Sequence, residues 1–152
     1  MKLAILLRGH VRTYKKCFPN LQEILKKFSS DIFIHSWDAT DEILNLYKPK
    51  DYLIEVNADS NTIKDILKEN KRYNSLIPSY KNQIYANYQL TKMMKKYAET
   101  NNIAYDFVLF IRFDTIIFTK ILLFYFKNLG LKLNKEFTFI PCNFCWINKS
   151  IK

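Results

Sequence analysis

Glycine is almost missing from this chain of 152 residues, with Gly9 and Gly130 as its two glycines, and proline appears four times. Collagen-like, low-complexity and Gly/Pro linker architectures are thereby excluded. Cysteine is limited to Cys17, Cys142 and Cys145, too few and too unevenly spaced for a disulfide framework, which points to a reducing compartment. Cys142 and Cys145 have the CxxC spacing of a metal site, but no second pair accompanies them and both histidines are far upstream, so free thiols are the expectation. Long apolar runs are lacking too. Arg112, Asp114 and Lys120 interrupt the most apolar region before it reaches the roughly 18 residues that a spanning helix needs. The apolar stretch after Lys2 ends at Arg8 and is shorter than a secretory core, so a cytoplasmic protein is expected.

What is abundant is apolar and basic. Hydrophobic residues make up 49% of the chain and aromatic residues 16%, enough to bury a core, and the length fits one domain spanning 1–152. The net charge of +10 favours anionic partners without choosing among nucleotides, nucleic acid, phospholipid and acidic glycans. No nucleic-acid-binding motif accompanies it, and the lysines at 92, 95 and 96 read as a solvated helix face.

Arginine discriminates better. Of the 24 basic residues only Arg8, Arg12, Arg72 and Arg112 are arginines, and scarcity of the planar bidentate fork marks places that need it. Arg8, Gly9, His10 and Arg12 fall within one pentapeptide, directly after the apolar run Lys2–Leu7. Read along the chain, that run is a buried strand, and Leu21, Ile24, Leu25 and Phe28 mark a helix with Pro19 near its first turn. The segments 31–37 and 51–56 are further strands, and 62–70 is a short helix preceding a polar connector over 72–79. The face Ala86, Leu90, Met93, Met94 and Tyr97 defines a long helix over 81–100. The run 105–112 (YDFVLFIR) is expected at the centre of a parallel sheet, 116–128 reads as strand or helix, and 136–141 is a last strand. The pattern predicts an α/β domain, a mostly parallel central sheet flanked by helices.

Ligands in such sheets gather at the carboxyl ends of the strands, where the scarce residues fall. Gly9 would let a backbone approach a diphosphate while Arg8 and Arg12 neutralise it; equally, Gly9 makes a tight turn and the arginines pair with surface carboxylates. Arg112 and Asp114, two residues apart, lie on one side of an extended segment and form either a ligand site or a strand-end ion pair. His35 and Asp38 close the second strand, and His35 within an apolar strand reads as a structural residue.

Three segments, KLAILLRGHVRTYKKCFPNL, DIFIHSWD and the stretch from Gln83 through YDFVLFIRFDTIIF, together resemble bacterial and viral polysaccharide-type glycosyltransferases with a GT-A-like, Rossmann-like nucleotide-diphospho-sugar transferase fold. Members begin with a strand and an Arg-rich or Gly-containing loop, continue through a D-[IV]-F-[IV]-H-[ST]-W-like strand, and reach an R-x-D strand end after a long helix. The resemblance implies a nucleotide-diphospho-sugar donor and a saccharide or lipid-linked saccharide acceptor in capsule or lipo-oligosaccharide assembly. It also implies peripheral association with the anionic inner membrane surface and no specific nucleic acid. Asp114 would stand at a DxD-type site for Mn²⁺ or Mg²⁺, with Arg112 in place of the first acidic residue, and Arg8, Gly9, Arg12, Asp38 and Arg112 would meet the donor. His35 and Asp38 are the candidates for a base. GT-A catalytic domains are usually longer, so the resemblance implies a chain truncated at its carboxyl end. Two functions follow: a glycosyltransferase or its donor-binding half, or a non-catalytic nucleotide-binding remnant of that fold.

Overall fold

The structure, a computed structural model, describes residues 2–55, 78–117, 138–142 and 145–149. Its elements run β1 (Lys2–Arg8), α1 (Tyr14–Lys27), β2 (Ser29–Ser36), α2 (Asp41–Tyr47), β3 (Asp51–Ile54), α3 (Pro78–Asn101), β4 (Phe107–Arg112), β5 (Thr138–Cys142) and β6 (Cys145–Lys149). They build one sheet in the order β3-β2-β1-β4-β6-β5, with β1 to β4 parallel and β6 antiparallel to both β4 and β5. The chain is therefore an α/β protein whose four-stranded parallel sheet is flanked by helices. The helix expected over 62–70, the segments 72–77 and 118–128, Arg72 and Gly130 lie outside the described residues.

Alternation along each strand divides two cores. Leu3, Ile5 and Leu7 of β1 face one side with Ile32, Ile34, Leu109 and Ile111, and are covered by Leu21 and Ile24 of α1 and Ile43 and Tyr47 of α2. Ala4 and Leu6 face the other side with Phe33 and Val108, and are covered by Leu90 and Met94 of α3. Strands buried on both faces need apolar residues at every position, and Leu3 to Leu7 are at most 1% exposed.

Four elements differ from expectation. The run 105–112 forms β4, which with β1 is central in the six-stranded sheet but stands at the end of its parallel set, with the antiparallel β6 on its other side. An interior strand with neighbours on both edges carries the same apolar signature in either case. Pro19 sits well inside α1, where it removes the N–H that would bond the carbonyl four residues back. Burial of Cys17, Leu21 and Ile24 and the favourable charges of Lys26 and Lys27 at the carboxyl end hold the helix across that gap. Helix α2 is new. It is seven residues long and buries only Ile43 and Tyr47, too few anchors to show a period. The strand expected over 136–141 is β5, and β6 is an additional strand, with Cys142 opposite Cys145 in register.

At the amino-terminal edge of the sheet, the buried Asp31 accepts from the Tyr105 hydroxyl at 2.8 Å and pairs with Lys2 Nζ at 2.8 Å. Burial, together with that carboxylate, pushes the Tyr105 phenol far above its ordinary pKa. This cluster ties the starts of β1, β2 and β4 together, leaving the carboxyl edge for other chemistry.

Candidate functional site at the carboxyl edge of the sheet

The route of the chain selects one place on that edge. From β1 it moves outward through β2 and β3, with α1 and α2 on one face; it then returns through α3 on the other face to β4, on the opposite side of β1. The reversal falls between the ends of β1 and β4, the position at which open α/β sheets form a ligand-binding crevice. Arg8 ends β1 and is paired in register with Arg112 on β4 and His35 on β2. All three lie in one row on the face covered by α3, because matched positions of parallel strands point the same way.

Arg8 is 2% exposed, and its guanidinium is held by α3. Nη1 donates to Asn87 Oδ1, and Gln83, with its amide oxygen turned toward the arginine, accepts from Nη1 at 3.2 Å and Nη2 at 2.6 Å. Residues 83 and 87 are one helical turn apart and so present two acceptors to one planar fork. Arg8 thus straps α3 to the end of β1 and brings positive charge beneath the crevice without offering its fork to solvent.

Gly9 follows with φ +89°, in the region that L side chains avoid. A Cβ built there would meet nothing within 4 Å, so the backbone angle, not crowding, selects glycine, and the space above it is open. Its N–H donates to the His35 carbonyl at 3.0 Å, which locks the start of the loop to β2. Arg12 is exposed just before Thr13, whose carbonyl accepts the N–H groups of Lys16 at 2.9 Å and Cys17 at 3.2 Å to open α1. The first turn of α1 contains no acidic residue.

Asp38 holds this loop in shape. Its Oδ1 accepts the Val11 N–H at 3.0 Å, its Oδ2 lies 3.0 Å from His10 Nδ1, and its own N–H donates to Ser36 Oγ at 3.2 Å. The Ser36 hydroxyl lies 3.0 Å from the Gly9 carbonyl oxygen and 3.2 Å from Asp38 Oδ1. Partial burial would raise the Asp38 pKa, but the bonds from Val11, His10 and Ser36 outweigh it and hold the carboxyl below its ordinary range. The carboxylate is engaged by its own loop and fixes the shape of the Gly9 segment.

At the end of β4, Arg112 Nε and Nη2 donate to the two oxygens of Asp114 at 2.8 and 2.6 Å, a bidentate pair flanking the buried Phe113. With side chains 40% and 25% exposed, this pair contributes at most about 1 kcal/mol to stability. Each Asp114 oxygen accepts one bond from the fork, and among the described residues there is no group of three or more His, Cys, Asp or Glu side chains that could hold a metal ion.

His35 is enclosed. It is 0% exposed, with Nε2 at 3.3 Å from Glu55 Oε2, the Trp37 ring edge-on at 4.7 Å and Tyr85 at 5.7 Å. Tyr85 also donates to Glu55 Oε1 at 2.9 Å. Burial lowers the His35 pKa, more than Glu55 raises it, so the imidazole is neutral. His35, a base candidate from sequence, is closed off from solvent by Trp37, Tyr85 and Glu55. Glu55, Tyr85, Gln83 and Asn87 carry no local signal of their roles, which arise from contacts across long sequence separations.

A pH prediction follows from His35. Its pKa is lower in the folded state than the ordinary 6.5, so below that pH the unfolded chain binds a proton that the folded chain does not. Stability is fully present above about pH 6.5 and is lost on acidification, by at most about 1.4 kcal/mol per pH unit. Urea unfolding between pH 7.5 and 5 should show this slope in the wild type and a shallower one in His35→Gln; identical slopes would rule the contribution out.

Among the described residues, no helix is long and apolar enough to cross a membrane. No family model, curated protein or solved structure matches the chain.

Proposed function

We propose that this chain binds the diphosphate of a nucleotide-diphospho-sugar in the crevice between the ends of β1 and β4, as a GT-A-like glycosyltransferase or its donor-binding half. The observation that carries this reading is the reversal of strand order beside an open, positive-φ Gly9, with Arg8 and Arg112 adjacent in register. A diphosphate there would meet the Arg112 guanidinium, the Gly9 backbone and Arg12 ahead of α1, while the buried Arg8 adds positive potential from below. The acceptor in this reading is a saccharide or lipid-linked saccharide, and the protein works in the cytoplasm at the anionic inner membrane surface, to which its charge of +10 is suited. The bidentate Arg112–Asp114 pair suits a second reading on the same fold, a nucleotide-binding module without turnover in which Asp114 orients Arg112 and holds no metal.

The test is calorimetry with UDP, GDP, dTDP and their glucose conjugates, on wild type, Arg112→Gln and Asp114→Asn, each with Mn²⁺ and with chelator. Arg112→Gln is expected to weaken nucleotide binding about tenfold or more, because a charge-assisted bond contributes about 1.5–3 kcal/mol. If Asp114 serves as a metal residue, Asp114→Asn weakens binding only with Mn²⁺; if it only orients Arg112, the loss is the same with chelator. Absence of nucleotide binding by the wild type under every condition would overturn the donor-site reading.

A further inference from the structure

His10 is the other histidine of the chain, and its setting is the reverse of that of His35. Both imidazoles face a carboxylate at neighbouring strand ends, but His35 is enclosed at 0% exposure, whereas the His10 and Asp38 side chains are each 46% exposed. We propose that His10 is the general base of this site and that Asp38 is its positioning residue. Asp38 Oδ2 lies 3.0 Å from His10 Nδ1, and Asp38 is itself fixed by the Val11 N–H and by Ser36. Assigning the Nδ1 proton to that bond leaves Nε2 as the basic nitrogen, the arrangement that a base oriented by a third group requires. His10 directly follows Gly9, so the base stands one residue from the open backbone at the carboxyl edge.

The proposal rests on the donor-binding reading and assigns it a reaction. Nε2 takes the proton of an acceptor hydroxyl as that oxygen bonds to the anomeric carbon of the donor. The bond from that carbon to the diphosphate oxygen breaks, and its electron pair leaves with the nucleoside diphosphate. The imidazolium, stabilised by Asp38, then releases its proton to solvent. Water in place of the acceptor gives the free sugar by the same balance.

The experiment uses the full chain with UDP-, GDP- and dTDP-glucose, following release of nucleoside diphosphate with water or glycerol as acceptor, alongside calorimetric affinity for the same donors. His10→Ala should lower kcat about 100-fold or more, the range of general-base contributions, and keep donor affinity within about twofold. Added free imidazole should restore part of the lost rate, which a purely structural role would not allow. Asp38→Asn should lower kcat with KM unchanged, and circular dichroism should show that both variants remain folded. Donor bound and turned over equally by wild type and His10→Ala would overturn the assignment of the base and leave the donor site standing. Donor bound without turnover by the wild type would overturn the base and favour the non-catalytic module. No donor binding would overturn both.

Discussion

Phe33→Ala is expected to destabilise the chain by about 3–5 kcal/mol, a large part of the stability of an ordinary domain. Phe33 is fully buried on β2, on the face covered by α3. Its ring packs edge-on against Tyr97 at 5.5 Å and Tyr105 at 6.3 Å, so truncation removes both the buried area and two aromatic contacts. The sheet is hydrogen-bonded on both sides of β2 and cannot collapse into the vacated volume, which places the loss toward the upper end. Phe33→Leu, which refills most of the space, should cost much less. Urea denaturation checks both; a loss below about 1 kcal/mol for the alanine variant would mean that α3 does not pack on β2 as described.

Arg8→Met should cost about 2–4 kcal/mol, although the new side chain is apolar, similar in length and placed in a buried position. The guanidinium is the donor for Asn87 and Gln83, and methionine leaves those amide oxygens facing a site without one, at about 1–3 kcal/mol for each acceptor left unsatisfied. Arg8→Lys should recover part of the loss, because an ammonium keeps the charge but cannot serve two acceptors with a planar fork. The test is the urea midpoint together with amide exchange along α3, whose amino-terminal half should open first. An unchanged midpoint for Arg8→Met would show that the guanidinium does not secure the helix. Arg8, a candidate phosphate contact from sequence, is buried against α3, and the more exposed Arg112 and Arg12 are the side chains to probe for direct contact.

Most of the scaffold was legible in the sequence because its signals are local. The continuous apolar run of β1, the helical spacing of Leu21, Ile24, Leu25 and Phe28, and the long face of α3 each depend on residues a few positions apart, and together they specify an α/β chain. The clustering of Arg8, Gly9, His10 and Arg12 likewise located the loop at the carboxyl edge, since a buried strand must end where polar residues begin. What the sequence could not decide was pairing. Only the register of β1 with β2 and β4 sets Arg8 between His35 and Arg112, and only the return of α3 across the opposite face brings Gln83 and Asn87 to a guanidinium that their own neighbours do not announce. The same holds for the two histidines. One lies within an apolar strand and the other just past one, yet Trp37, Tyr85 and Glu55 close over His35, while Asp38 orients His10 at the surface. Local propensity is a property of a few consecutive residues, whereas burial and partnership are decided by which strand ends the fold makes neighbours.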